Sequence, residues 1–217
     1  MSETQSAKIA RSLLQIQAVK ISPENPFTWA SGLKSPLYCD NRLTLSYPEI
    51  RNLICDGFVN LIREIFPQTG GISGVATAGI PHGMLVADRL NLPFLYVRSK
   101  PKEHGLGNQI EGKLDPTVSY LMVEDLISTG KSSLEAVKAM KNAGGNVSGL
   151  VSVFSYGLPE ASGAFERAGI PWKSLVSYGD MLAEALKSNY ISQKHLGSLQ
   201  EWRKNPKAWS EENKGKG

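Results

Sequence analysis

Cysteine is nearly absent: Cys39 and Cys55 are the only two in 217 residues. Neither has a second Cys or a His at metal-ligand spacing, and the chain holds only three histidines. That count argues against a disulfide framework and a structural zinc site. No apolar run reaches the length of a membrane span, and residues 1–20 lack the apolar centre of a secretion signal. A cytoplasmic protein without membrane contact is therefore expected. Internal repeats and long low-complexity stretches are missing as well. Charge of one sign is only mildly in excess, at +4. Much of it is local. Residues 98–113 set Arg98, Lys100, Lys102 and Lys113 against Glu103 and Glu111. Residues 203–217 set five cations against two carboxylates. No helix-turn-helix or RNA-binding signature accompanies these clusters, so nucleic acid is not an expected partner.

What is present centres on residues 118–133. Val118 to Val123 is an apolar run that reads as a buried strand. Glu124 and Asp125 follow at once, then Ser128-Thr129-Gly130-Lys131-Ser132. Leu134, Val137 and Met140 recur at helical spacing, so a helix starts near Ser132 or Ser133. A small-residue loop opening a helix presents free backbone N–H groups and a positive dipole end, which suits a phosphate. Adjacent carboxylates do not favour that anion; they suit the neighbouring hydroxyls of a sugar, or a cation. A nucleotide P-loop would need Gly where Asp125 stands. A merely structural turn explains the small residues but not two acids ending a buried strand, where charge is costly.

The rest of the chain supplies the setting. Ala7 to Val19 has helical apolar spacing. Residues 21–42 are rich in Pro and aromatics and read as short strands and turns outside the main sheet. Ser46-Tyr-Pro-Glu49 matches a capping box, opening a helix to about Phe66 that Pro67 ends. Gly71–Val75, Leu92–Val97, Val147–Phe154 and Trp172–Val176 read as further strands. Met84–Leu90 and Pro159–Arg167 read as helices, the latter stopped by Gly169. Asp180 is expected to cap a helix through Leu186, and Ser192 to begin one reaching about Arg203. Residues 206–217 read as a polar, frayed tail. Strands alternating with helices from 71 to 176 imply a parallel sheet covered on both faces, with ligands at the carboxyl ends of its strands. Three loops lie on that rim: 76–79, 98–112 and 124–132. The middle one is polar, holds Gly105, Gly107 and Gly112, and is long for a structureless connection, which suggests a functional loop closing over a polyanion.

The run Val123-Glu-Asp-Leu-Ile-Ser-Thr-Gly-Lys-Ser132 resembles the ribose-phosphate motif of the type I phosphoribosyltransferases. Phe27-Thr-Trp-Ala-Ser-Gly-Leu-Lys-Ser-Pro-Leu-Tyr-Cys-Asp-Asn-Arg42 and Tyr96-Val-Arg-Ser-Lys-Pro-Lys-Glu-His-Gly-Leu-Gly-Asn-Gln-Ile-Glu-Gly112 are similar to the orotate phosphoribosyltransferases in particular. The resemblance spans nearly the whole chain. It implies an α/β fold of the type I phosphoribosyltransferase kind, with a mostly parallel sheet flanked by helices and a small N-terminal hood over the base. It implies one structural domain in three segments: helix and hood at 1–45, core at 46–190, and C-terminal helix and tail at 191–217.

The resemblance also implies roles. Glu124 and Asp125 would hold the ribose 2′- and 3′-hydroxyls of phosphoribosyl pyrophosphate. Leu126, Ile127, Ser128, Thr129, Gly130, Lys131 and Ser132 would form the cradle of its 5′-phosphate. Arg98, Lys102 and His104 would neutralise the departing pyrophosphate, with Lys102, His104 and Asp125 the catalytic candidates. Ser128 would also touch orotate. Mg²⁺ would be held mainly by the substrate, with no direct protein ligand, and the protein would be a homodimer whose 98–112 loop serves the neighbouring site.

Several positions depart from the family pattern. Ser99 follows Arg98, with the Lys displaced to 100. Ala30 and Ala78 stand where relatives carry Lys. Phe154-Ser-Tyr156 replaces an Asp-Arg pair that helps some relatives bind the orotate carboxylate. Orotate recognition then leans on Ser128, backbone amides and the hood segment 34–40. The rival readings are a phosphoribosyltransferase for another base, a regulator that binds phosphoribosyl pyrophosphate as a signal, and a sugar-phosphate binder without catalysis.

Overall fold

A computed structural model of the chain describes residues 3–100 and 109–215. Helix α1 (Gln5–Gln15) opens it, followed by strands β1 (Val19–Ile21), β2 (Phe27–Thr28), β3 (Lys34–Ser35) and β4 (Leu37–Cys39). A 3₁₀ turn at Asn41–Ser46 leads into α2 (Pro48–Ile65). The core then runs β5 (Gly71–Val75), α3 (Gly79–Leu90), β6 (Phe94–Val97), β7 (Ile110–Glu111), β8 (Ser119–Ile127), α4 (Lys131–Asn142), β9 (Asn146–Ser155), α5 (Pro159–Ala168) and β10 (Trp172–Val176). Helices α6 (Tyr178–Lys187), α7 (Leu196–Lys204) and α8 (Pro206–Glu212) close the chain.

The main sheet has the order β10-β9-β8-β5-β6-β7, parallel except for the antiparallel edge strand β7. Alternation along β8 divides the core. Leu121 and Val123 pack with α1, α2 and α6 residues such as Leu13, Phe58 and Met181. Tyr120 and Met122 pack with Val137, Met140 and Phe165 on α4 and α5. From β5 the chain steps one way to β6; from β8 it steps the other way to β9 and β10. Strand order therefore reverses between β5 and β8, and a crevice opens at their carboxyl ends.

Two close approaches fix that crevice. A Cβ on Gly79 would lie 2.2 Å from the Val123 carbonyl oxygen, so only glycine lets α3 start this close to β8. Gly130 sits at φ 77, and a Cβ there would meet Phe165 at 2.7 Å.

The hood is two small antiparallel pairs, β1 with β4 and β2 with β3. Trp29 joins it to the core through rings of Tyr156 at 5.1 Å and Trp202 at 5.8 Å. Helix α8 supports it from below, with Ser210 Oγ accepting from the Lys34 N–H at 2.9 Å.

The structure corrects several expectations. Val19 begins β1 instead of ending a helix, because the chain reverses at Gln17, at φ 58. Ser46 does not cap α2. Pro48 holds the residue before it extended, so Tyr47, at ψ 95, becomes the cap, with no side-chain hydrogen bond. Helix α3 starts at Gly79, five residues before Met84, and accommodates Pro81 in its first turn, where no N–H is needed. Asp180 is not the cap of α6; Ser177 is, and Asp180 completes the box from the third helical position. Strand β7 lies where only loop was expected. The tail is not frayed throughout: α8 forms and buries Trp209, whose Nε1 donates to Ser198 Oγ at 2.9 Å.

Gly79→Ala should lower the unfolding free energy by about 1–3 kcal/mol, since a carbonyl on a central strand cannot move aside cheaply. Gly197→Ala, with open space around it on α7, should instead be neutral or stabilise by up to about 1 kcal/mol. Urea midpoints of the two variants check this; equal shifts would refute the close-approach argument.

Candidate active site

The ladder between β8 and β9 runs past the apolar stretch, pairing Glu124 with Ser152, Leu126 with Phe154 and Ile127 with Ser155. Glu124 and Asp125 are thus held within the strand, not in a loop after it, which corrects the expected end at Val123. Glu124 is buried, and its Oε2 accepts from Ser133 Oγ on α4 at 3.1 Å. Its Oε1 accepts from the Asp125 N–H at 3.1 Å. Burial pushes the Glu124 carboxyl well above its ordinary value, and the charge of Asp125 pushes the same way. Burial also raises Asp125, against the opposing effect of a hydrogen bond with Glu124. Asn41, fully buried, donates from Nδ2 to the Asp125 carbonyl at 2.7 Å and ties the hood side to the strand.

These carboxyls line a cleft of about 410 Å³. Its walls are Cys39, Asp40 and Arg42 from the hood, Ala76, Thr77 and Ala78 after β5, and Glu124, Asp125, Leu126, Ser128 and Ser132 from the β8–α4 junction. The Ala76–Thr77 peptide bond is cis. Helix α4 begins at Lys131 with Gly130 as its cap and no side-chain cap bond, so its first N–H groups are offered to the cleft side. A smaller cavity adjoins through Ala76 and Ser132, and Arg98, Ser99 and Gln109 close it.

Of the expected site residues, Glu124, Asp125, Leu126, Ser128 and Ser132 come together in the main cleft. Arg98 lines the adjoining cavity and pairs with Glu111 at 3.6 Å. Gly130 is buried in the turn and Lys131 is exposed at the helix start. Ile127 is fully buried in the core, and Thr129 lines a different cavity, beside Trp29 and Pro159. Lys102 and His104 lie outside the described residues. Cys39 and Asp40 come from the expected hood segment 34–40 and Thr77 from the expected rim loop 76–79, whereas sequence reasoning gave Arg42 no role. The signal for Arg42 was its place at the end of the hood motif.

No protein-family model matches the chain. The orotate phosphoribosyltransferase of Cytophaga hutchinsonii is 53% identical over 202 residues, covering 93% of this chain and 97% of that protein. That of Bacillus subtilis is 54% identical over 200 residues, covering 92% and 93%. The chain belongs to the orotate phosphoribosyltransferase family. The crystal structure of the Aeropyrum pernix orotate phosphoribosyltransferase superposes with a TM-score of 0.68 at 23% identity, over 81% of this chain and 98% of that one, a likeness of fold. The type I phosphoribosyltransferase fold expected from the sequence is the fold observed.

Two buried groups should leave opposite marks on stability. His82 on α3 has its Nε2 3.5 Å from Thr44 Oγ1, and burial lowers its pKa from 6.5 to about 4. Between those values the unfolded chain binds more protons, so stability rises with pH there and is lost as pH falls from 6.5 towards 4. Replacing His82 with Gln should shrink the stability difference between pH 7 and pH 4.5 by about 2–3 kcal/mol. Glu124 has the opposite sign. Its folded carboxyl keeps a proton that the unfolded one has released, so stability falls as pH rises from 4.5 through its raised value. Glu124→Gln should remove that fall. Urea unfolding from pH 4 to pH 8 checks both, and profiles parallel to wild type would refute the assignments.

Proposed function

We propose that the chain transfers the ribose 5-phosphate group of phosphoribosyl pyrophosphate to N1 of orotate, as an enzyme of pyrimidine nucleotide synthesis. One observation carries this: Ser128 and Ser132 of the β8–α4 junction share one cleft with the acid pair at the point where strand order reverses, in a chain whose full-length relatives are orotate phosphoribosyltransferases. The bond from ribose C1 to the diphosphate oxygen breaks and the diphosphate leaves with the bonding pair. The C1–N1 bond forms and N1 gives up its proton. Charge builds as a cation on the ribose ring and as negative charge on the leaving group, so positioning and electrostatics dominate.

The residues divide this work. Backbone N–H groups and hydroxyls of Ser128–Ser132 hold the 5′-phosphate. Glu124 and Asp125 grip the 2′- and 3′-hydroxyls, and Asp125 faces the developing ring cation. Arg98, with Lys102 and His104, neutralises the departing diphosphate, and the latter two supply its proton or clamp it. Ser128 meets the base. The donor set fits a hard, oxygen-seeking ion: the cleft offers carboxyls, yet among the described residues no trio of His, Cys, Asp or Glu stands ready to hold a metal alone. Mg²⁺ would be held mainly by the substrate, with the cleft carboxyls nearby, and would offset charge on the leaving group.

A homodimer and a cytoplasmic location belong to the same proposal. Leu43, Tyr47 and Met84 support the first as exposed apolar side chains on neighbouring elements. Among the described residues no helix is long and apolar enough to cross a membrane.

Diphosphate release from phosphoribosyl pyrophosphate and Mg²⁺ should require orotate, and a screen of uracil, xanthine and purines should give far less turnover. Lys102→Ala should cut turnover by roughly 10²–10³-fold or more while the folded protein still binds the sugar phosphate. Release without orotate, or near wild-type turnover in that variant, would refute the assignment. In mixed dimers, a Lys102→Ala subunit paired with an Asp125→Asn subunit should regain activity that neither has alone.

A further inference from the structure

We infer that Arg42 recognises the carboxylate of the base and sets the preference for orotate over an uncharged pyrimidine; the inference rests on the reaction proposed above. Of the described residues lining the main cleft, Arg42 alone carries a cation. It enters from the hood side, where the base must lie if the β8–α4 junction holds the ribose phosphate.

The guanidinium is already half-used, in a way that fixes its direction. Nε donates to Asp40 Oδ1 at 2.6 Å, and Nη2 donates to Asp40 Oδ2 at 2.9 Å. Asp40 therefore occupies the side-on fork. Nη1 has no acceptor among the described residues. Three of the five N–H donors remain, both on Nη1 and one on Nη2, and they form the end-on fork that matches a second carboxylate. Asp40 thus positions Arg42 without consuming its capacity. The guanidinium also lies near enough to Asp125 for its charge to favour the ionised form of that carboxyl. Arg42 and Asp125 line the same cleft.

The neighbouring candidates are spent elsewhere. Tyr156 stands where some relatives carry an arginine for the orotate carboxylate, but it is buried behind the hood. It is packed among aromatic rings, meeting Phe154 at 5.2 Å and Trp202 at 5.6 Å. Ser128, the expected base contact, is neutral and offers one hydroxyl. A carboxylate at C6 of the base needs a fork of donors, and on the described lining only Arg42 has one.

The test uses the full-length protein with phosphoribosyl pyrophosphate and Mg²⁺, comparing Arg42→Gln and Arg42→Lys with wild type. The side chain is 65% exposed, so neither change should alter thermal unfolding appreciably. Arg42→Gln should raise KM for orotate roughly 10–100-fold, as expected for losing charge-assisted hydrogen bonds, and leave KM for phosphoribosyl pyrophosphate near wild type. The ratio of kcat/KM for orotate to that for uracil should fall by a similar factor. Arg42→Lys should recover only part, since an ammonium keeps the charge but not the fork. An unchanged KM for orotate, or a rise confined to phosphoribosyl pyrophosphate, would overturn the inference and leave the reaction standing. Wild-type protein that releases no diphosphate with orotate would instead overturn the reaction.

Discussion

Two carboxyl groups stand together at the end of a strand otherwise sealed in the core, and the surrounding elements are arranged to keep them there. Carboxyls buried beside each other cannot both ionise cheaply. Here the expense is lowered by particular groups: the Ser133 hydroxyl and the Asp125 N–H on Glu124. Holding those partners in place requires the β8–β9 ladder to continue to Ile127, helix α4 to start at Lys131, and α3 to press against β8 at Gly79. The sheet's architecture can be read as a mount for the acid pair.

The hood is held by a different kind of force. Its strands never join the main sheet; aromatic contact secures them. Trp29 reaches from the hood to Tyr156 and Trp202, and Tyr178 and Phe154 extend the cluster into the core. Such contacts resist separation but set no register, whereas the bond from Asn41 to the Asp125 carbonyl does. Thr44 Oγ1 donates to the Asn41 carbonyl at 2.6 Å and sits beside His82 on α3, so the 3₁₀ turn is braced from both sides. The hood wall and the β8 wall of the cleft are therefore built from separate segments but fixed at one point.

Local chemistry in the sequence revealed the junction and most of the strands; long-range packing decided what it did not reveal. The apolar run, the acids and the hydroxyl loop of 118–133 carry their own signals, and Gly169 ends α5 as its residue type requires. The end of β8 was illegible because pairing with β9, not composition, carries the strand through two carboxylates. The tail looked like a solvated run because lysines surround Trp209, whose burial depends on α7 and the hood being present. Ser46 and Asp180 were sound helix-start residues displaced by neighbours, one by the constraint before Pro48 and the other by Ser177. In the site, the acid pair and the hydroxyl loop were legible as consecutive residues, although Ile127 lies in the core and Thr129 lines another cavity. Arg42 was not, because it comes to the cleft only when the hood folds onto β8.

Charge balance on the described lining bears on how a polyanion can enter. Asp40, Glu124 and Asp125 face a single guanidinium there. Such a wall does not attract a sugar diphosphate by itself. The attraction must come from directed donors and from outside. In the proposed reaction, backbone N–H groups at the start of α4 would supply the first for the 5′-phosphate. For the diphosphate, cations must arrive from the 98–113 segment or travel with the substrate as a metal ion. In the proposed reaction an acidic wall becomes useful: it would hold hydroxyls rather than phosphates, favour a cationic ribose ring over its neutral precursor, and leave the leaving group's charge to components that can depart with it.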